Sequence, residues 1–370
     1  MAVILFIIIL LVLILVHELG HYIVAKRSGI RVDEFGFGYP PRAKKLFTRK
    51  GTLFTLNWLP FGGFVKIFGE DPNAAELNGP DQEKSFAHKP RYIQALVLVA
   101  GVAMNFLFAW ILFTGTYLFL GFPTSVGSEP TGSVVQNAAL TITNVNPKSP
   151  AAHAGLMPGD SIAGISSASD RLDSVTTDDL ITYIRNHVNV PLTLNYMHVG
   201  VAKSTTLTPI EGSIPGKGVI GISMDMIGVV KLPIYRAPIE AMKVAVRDSK
   251  MIVSDFYWII HGSPKGSAHP SLSDVSGPVG IVGAVRGAYQ SGLNYLIVFI
   301  GLISLNLAVI NLIPFPALDG GRLLFVGIEA ITRKKIPQKF FNYANLIGFG
   351  LLILLMLVVT YHDIVRLVGH

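Results

Sequence analysis

Residues 2–25 read AVILFIIILLVLILVHELGHYIVA. The run is unbroken apolar from Ala2 to Val16, is interrupted by His17-Glu18-Leu19-Gly20-His21, and is apolar again to Ala25. A stretch of this length and composition predicts a membrane-spanning helix. No basic segment precedes it and no small-x-small cleavage site follows, so it does not read as a cleaved leader. The break inside it is the informative part. Each ionisable side chain at the centre of a membrane helix costs roughly 3 kcal/mol, and three of them here fall within five residues.

Helical pitch suggests the compensation. Residues four apart share a face and lie about 6 Å apart along the axis. His17 and His21 can therefore offer two imidazole nitrogens to one point, with Glu18 beside it. This is the H-E-x-x-H spacing of two metal ligands and a carboxylate that takes a proton from water. The chain has no cysteine, which excludes disulfides, thiolate ligands and a cysteine nucleophile together. A third ligand must then be nitrogen or oxygen. The strongest candidate is Asp319, in Asn311-Leu312-Ile313-Pro314-Phe315-Pro316-Ala317-Leu318-Asp319-Gly320-Gly321. The prolines break a helix there, and the glycines let backbone approach closely. Asp319 can also be read as the N-cap of a following helix. Asn311, in the span before it, could hydrogen-bond an extended backbone.

Of 370 residues, 51% are hydrophobic and only 14% charged, an excess over soluble domains that membrane spans explain. Four spans are expected: Ala2–Ala25, Ile93–Gly121, Asn294–Ile313 and Leu346–Val359. The net charge of +7 gathers at span ends: Lys26, Arg27, Arg31, Arg42, Lys44, Lys45, Arg49 and Lys50, then Arg333, Lys334, Lys335 and Lys339. Such asymmetry reports orientation, placing 26–91 and 333–339 in the cytoplasm and both termini outside. It implies contact with the lipid bilayer and no nucleic-acid partner, since no aromatic residues interleave the basic ones.

Between the first two spans, Thr52–Trp58 and Phe64–Phe68 have strand composition, with Pro60 and Gly62-Gly63 as turn chemistry between them. A β-hairpin dipping into the membrane is expected, tolerated only where protein or a wet cavity covers its backbone. Residues 133–209 read as a separate soluble α+β domain, with strands at 140–145, 191–198 and 203–208 and a helix at 177–186 capped by Thr176 or Thr177. Its string Pro150-Ala151-Ala152-His153-Ala154-Gly155-Leu156-Met157-Pro158-Gly159-Asp160-Ser161-Ile162 resembles that of PDZ domains, which bind peptides by strand addition. Pro238–Ile260 predicts an amphipathic helix, lying on the outer membrane surface or packed in a soluble core.

His-Glu-Leu-Gly-His in the first span and Asn-x-x-Pro-x-Pro-x-Leu-Asp-Gly-Gly after the third resemble the site-2 protease family of intramembrane zinc metalloproteases, nearest its bacterial regulator-of-sigma-E protease group. Gly62-Gly63-Phe64-Val65-Lys66 is similar to that group's membrane-reentrant β-loop. Ser276-Gly277-Pro278-Val279-Gly280-Ile281 resembles its segment before the third span. Gly101-Val102-Ala103-Met104-Asn105 resembles its Gly-Pro-x-x-Asn motif with valine for proline. The resemblance covers nearly the whole chain and includes one PDZ unit. It implies a polytopic α-helical protein of the bacterial cytoplasmic membrane with a reentrant hairpin and an extracytoplasmic PDZ domain. The expected division is 1–122, 123–215 (PDZ), 216–290 (with the amphipathic helix) and 291–370. It implies Zn²⁺ held by His17, His21 and Asp319, with Glu18 as catalytic base. Substrates would be single-span membrane proteins, of anti-sigma-factor or remnant-signal-peptide type. Gly62, Gly63 and Phe64 in the hairpin, with Asn105 and Asn311, would hold the substrate backbone. Two other readings exist: an ion-coupled transporter with the same four residues as a cation path, which predicts internal repeats that the sequence lacks, and a non-catalytic PDZ scaffold.

Overall fold

A computed structural model describes residues 1–70, 79–146, 148–173, 176–212, 215–262 and 275–368. In chain order the elements are α1 Ala2–Arg27, β1 Val32–Arg49, β2 Thr52–Ile67, α2 Arg91–Gly115, β3 Phe122–Ser125, β4 Gln136–Val145, α3 Pro150–His153, β5 Ser161–Ser166, β6 Arg171–Leu172, α4 Thr177–Asn186, β7 Leu192–His198, β8 Val201–Leu207, β9 Ile210–Glu211, β10 Gly218–Val219, β11 Ile222–Val230, α5 Ala237–His261, α6 Pro278–Ser291, α7 Leu293–Leu312, α8 Asp319–Thr332 and α9 Gln338–Val368. Four helical stretches are long and apolar enough to cross a membrane: Ala2–Arg27, Arg91–Leu120, Leu293–Leu312 and Gln338–Val365. The first three match the expected spans within a few residues. The fourth starts at Gln338 rather than near Leu346, because Pro337 presets the helical start and Gln338 Nε2 donates to Asn342 Oδ1 one turn on, at 3.1 Å. The chain divides into two compact units, Met1–Ile111 with Lys243–Gly277 and Ile300–Thr360, and Leu112–Met242 with Pro278–Phe299 and Tyr361–His370.

In the first unit α1 and α2 touch backbone to backbone. A β-carbon on Gly20 would lie 2.3 Å from the Ala100 carbonyl oxygen. Below this crossing, Ala25, Ile30, Val32, Ile67, Phe86, Val97 and Leu98 form a buried cluster. Arg31 ties the adjoining segment down, donating to Asp33 at 2.8 Å and Asp81 at 2.6 Å with its guanidinium 3.5 Å over the Phe68 ring. Hydrogen bonds from Lys84 and Arg31 hold the Asp81 carboxyl below the usual carboxylate range.

A β-hairpin forms in this segment, but not between Thr52–Trp58 and Phe64–Phe68: Thr52–Ile67 is one strand, and both of its runs pair with β1 instead. β1 and β2 pair antiparallel about a two-residue turn at Lys50-Gly51, where both residues have positive φ (49° and 78°), as a type I′ hairpin turn requires. Pro60 and Gly62-Gly63 lie inside β2. Pro60-Phe61-Gly62 bends the strand between its two paired runs. As a result Thr52–Asn57 pairs with Arg42–Arg49, while Gly63–Ile67 pairs with Val32–Phe37. Glu34–Phe37 also lies beside Leu53–Leu56, so four runs stand side by side, with Gly63–Ile67 at one edge. The sheet lies on α1: a β-carbon on Gly63 would meet Leu15 Cδ2 at 2.9 Å.

The second unit is built on a seven-stranded sheet of order β3-β11-β4-β5-β7-β8, with β6 paired to β5. Alternating Leu140 and Ile142, Ile162, Leu192 and Leu194 meet Leu180 and Ile184 of α4 in its core. Thr176 caps α4 by accepting from the Asp179 N–H at 3.2 Å. The Pro-Ala-x-x-Ala-Gly-Leu-x-x-Gly-Asp string is a folding device here. Ser149 caps α3, Gly159 takes a positive φ of 94°, and buried Asp160 accepts from the Met157 N–H at 2.9 Å and faces His198 Nδ1 at 2.6 Å. The sheet does not stop near residue 215, as the sequence suggests: β11 inserts between β3 and β4, and its Ile222, Met224 and Met226 pack on the core. Ile222, Met224 and Met226 alternate with Ser223 and Asp225, as a half-buried strand does, but their pairing partners lie about 80 residues or more upstream. The amphipathic helix forms as α5, burying Ala241, Val244 and Ala245 and exposing Met251, Val253, Tyr257 and Ile260. Of the segment expected at 216–290, residues 263–274 lie outside the described residues.

Candidate metal centre

His17 and His21, one turn apart on α1, are both buried, at 8% and 7% exposure. Their rings meet edge to face with centroids 4.8 Å apart and their Nε2 atoms 3.2 Å apart. Asp319 arrives 302 residues later in sequence. Its Oδ2 lies 2.9 Å from His17 Nε2 and 3.3 Å from His21 Nε2. Two backbone approaches bring it there. A β-carbon on Gly320 would lie 2.2 Å from the Ile313 oxygen, and one on Gly321 would lie 2.2 Å from the Phe315 oxygen. The glycines therefore let the Pro314–Pro316 turn fold back on the first turn of α8. The helix is capped by Leu318, with no side-chain capping bond, so Asp319 does not act as the N-cap.

The hydrogen bonds around the rings decide what the three atoms can hold. His21 Nδ1 is 2.8 Å from the Val97 carbonyl oxygen. A carbonyl only accepts, so Nδ1 carries the proton and a neutral His21 presents a bare lone pair at Nε2. That lone pair faces a carboxylate oxygen, which is also an acceptor. Two acceptors 3.3 Å apart need a proton or a metal ion between them. His17, His21 and Asp319 offer one ligating atom each, all within 4.8 Å of one another. Two imidazole nitrogens and one carboxylate oxygen, with a position left over, fit a zinc-type site. The backbone makes room for it: a β-carbon on Gly101 would stand 2.4 Å from His21 Nε2 and 2.8 Å from His17 Nε2.

Glu18 is half-buried beside this centre. It lines a cavity of about 170 Å³ with His21, Asp319, Tyr39, Gly63, Phe64, Val65, Ile67, Glu70, Val97 and Leu98. The Val65 backbone N–H points to its carboxylate. The Phe64 ring covers Gly36, where a β-carbon would be 2.3 Å from it, and stacks on Tyr39 with centroids 6.4 Å apart. Gly62, at φ 142°, sits against the Tyr39 ring. Among the described residues no strand pairs with the other edge of Gly63–Ile67, and that run borders the cavity.

The structure therefore brings His17, His21, Asp319, Glu18, Gly63 and Phe64 to one place. Asn311 is half-buried at the end of α7 and is not among them. Asn105 differs from its expected place with substrate: it is fully buried, and its Nδ2 lies 3.4 Å from His17 Nδ1. Sequence reasoning missed Glu70 and Tyr39 on the cavity wall, and the Val97 carbonyl, which no side-chain pattern could reveal.

The sequence pattern of peptidase family M50 matches residues 5–355. A protein from Clostridium perfringens is 35% identical over 355 residues, covering 95% of each chain. The zinc metalloprotease RasP of Geobacillus kaustophilus is 29% identical over 436 residues, 97% of this chain and 96% of that one. RasP of Oceanobacillus iheyensis is 28% identical over 434 residues, 96% of this chain and 97% of that one. With the two histidines, the glutamate and the distant aspartate on adjoining elements, and a family match over nearly its whole length, the chain belongs to peptidase family M50.

Proposed function

We propose that this chain is an intramembrane zinc endopeptidase that cuts single-span membrane proteins after binding them as extended strands. One observation carries the reading: three candidate ligating atoms converge beside a cavity that also holds a carboxylate and an open strand edge. His17 Nε2, His21 Nε2 and Asp319 would hold Zn²⁺. Bound there, the ion supplies Lewis-acid polarisation of a peptide carbonyl and makes water acidic enough to react at neutral pH.

The rest falls to the chain's own residues. Glu18, beside the centre, accepts the proton of the attacking water and returns it to the leaving amine. The edge Gly63–Ile67 receives the substrate backbone by strand addition, with Phe64 and the Gly62–Gly63 bend shaping the approach. Strand pairing matters because a helical substrate hides its peptide bonds inside its own turns. Asn311, at the end of α7 before the proline turn, would be a further contact for the extended segment, as the family resemblance implies. The basic flanks support a cytoplasmic position for 26–91 and 333–339, with both termini outside. The sheet of the second unit, on the same side, acts as a PDZ-type filter on the substrate's outer part. The implied setting is the bacterial cytoplasmic membrane, with anti-sigma factors or remnant signal peptides as the substrate class.

The test is cleavage of a membrane-embedded peptide in detergent by the wild type and by Glu18→Gln, with zinc content measured on both. We expect equal zinc, loss of cleavage by at least about 10²-fold in the variant, and chelator sensitivity of the wild type. Undiminished cleavage by Glu18→Gln would overturn the assignment.

A further inference from the structure

His17 and His21 are held in different ways. His21 has a fixed partner, the Val97 carbonyl, so its Nδ1 is permanently the protonated nitrogen. His17 Nδ1 faces Asn105, whose carboxamide can present either a donor or an acceptor. As oriented here, Asn105 Nδ2 is turned to His17 Nδ1 at 3.4 Å, and the buried Oδ1 has no hydrogen-bond partner. With a donor at Nδ1, the ring proton belongs on Nε2, where it meets Asp319 Oδ2 at 2.9 Å. That is a hydrogen-bonded histidine–aspartate pair.

A cation at Nε2 reverses this requirement. It needs the Nε2 lone pair, which moves the ring proton to Nδ1 and calls for an acceptor there. Carboxamide oxygen and nitrogen are nearly the same size, so a half-turn about the Cβ–Cγ bond exchanges them without repacking. The turn brings the unpartnered Oδ1 onto the new Nδ1–H. The rest of the residue is anchored independently, because Ser304 Oγ donates to the Asn105 backbone oxygen at 2.8 Å. A side-chain substitution leaves that bond in place.

We propose that Asn105 is the positioning residue for His17: its carboxamide oxygen accepts the His17 Nδ1–H and fixes the tautomer that can ligate the metal. Asn105 then reaches the substrate only through the metal ligand it orients. The proposal rests on the zinc-site reading above. It adds that the second helix, α2, sets the strength of metal binding.

The test measures zinc affinity of the purified full-length protein by competition with a chromophoric chelator, for wild type, Asn105→Leu and Asn105→Asp. Leucine fills similar space without an acceptor, whereas aspartate restores one. We expect Asn105→Leu to bind zinc about 10–100-fold more weakly, the usual cost of losing such a partner. We expect Asn105→Asp to bind at least as tightly as wild type. Thermal unfolding of the metal-free proteins reports packing separately, and a purely structural role would give no rescue by aspartate. If Asn105→Leu does not fold, Asn105→Ala against Asn105→Asp makes the same comparison. A wild type that binds no zinc would defeat the zinc-site reading itself. A wild type that binds one zinc, with the leucine variant equal to it or the aspartate variant as weak as leucine, would overturn the proposal for Asn105 alone.

Discussion

The α-carbon of Gly101 lies under the metal-facing nitrogen of His21, so close that a β-carbon would come within 2.4 Å of it. Nothing softer than a ligand ring stands in the way of a larger residue. Gly101→Ala must therefore push the imidazoles of both His17 and His21 off their positions. We expect zinc affinity to fall by at least about 100-fold, on the scale of a lost supporting partner or more. Gly115, on the same helix, has nothing within 4 Å of its would-be β-carbon. Gly115→Ala should bind zinc normally and gain about 0.5–1 kcal/mol of helix stability. Zinc titration and thermal unfolding of the two variants side by side would decide it, and normal zinc binding by Gly101→Ala would contradict the geometry.

Asp319→Asn separates ligation from capping. Asparagine caps helices about as well as aspartate, and here Leu318 occupies the cap position with no side-chain capping bond. Fold and helix content should therefore stay unchanged. A neutral amide oxygen is a much poorer partner for a dication, so bound zinc should drop well below one equivalent. Metal analysis after gel filtration reads this directly. A full equivalent of zinc in the variant would remove Asp319 from the ligand set.

Orientation can be read by single-cysteine labelling, since the chain has no cysteine of its own. Ser169 and Thr48 are both exposed. An impermeant maleimide applied to intact cells, with any outer membrane opened, should modify Ser169→Cys and leave Thr48→Cys untouched. The reverse pattern would invert the topology.

The place of β11 inside the sheet bears on domain deletions. Removing 133–209 takes away β4 and leaves β11 with an open edge and with Met224 and Met226 stripped of their core. Open apolar edges aggregate. That deletion should elute as an aggregate. Excision of 124–228 removes the whole apolar face and should elute as one species that keeps its zinc, because none of the proposed ligands lies within it. Identical elution profiles would show that β11 does not need β4.

What could be read from the sequence depended on how local each signal is. His17, Glu18 and His21 were legible because helical pitch alone brings them together. Asp319 stood out by its prolines and glycines, although its partners lie 302 residues away. The strand character of Thr52–Trp58 and Phe64–Phe68 is legible, but their partner Val32–Arg49 and the turn that joins it to them are not. Pro60 and Gly62-Gly63 carry strong turn chemistry, whereas Lys50 takes a left-handed conformation that lysine rarely signals. Asn105 is expected at the substrate only through the resemblance of Gly101–Asn105 to a family motif. Its neighbour His17 lies 88 residues away, and only the helix crossing at Gly20 reveals it. The β11 strand was lost because its partners β3 and β4 both lie far upstream in the chain.

That crossing changes how the five-letter motif itself should be spelled. In His17-Glu18-Leu19-Gly20-His21 the chemistry names three residues and leaves two free. Gly20 is not free, because a side chain there would strike the Ala100 carbonyl oxygen at 2.3 Å. Its identity is dictated by the neighbouring helix, not by the metal. Leu19 is 37% exposed, which leaves it the only letter that neither the reaction nor the packing spells.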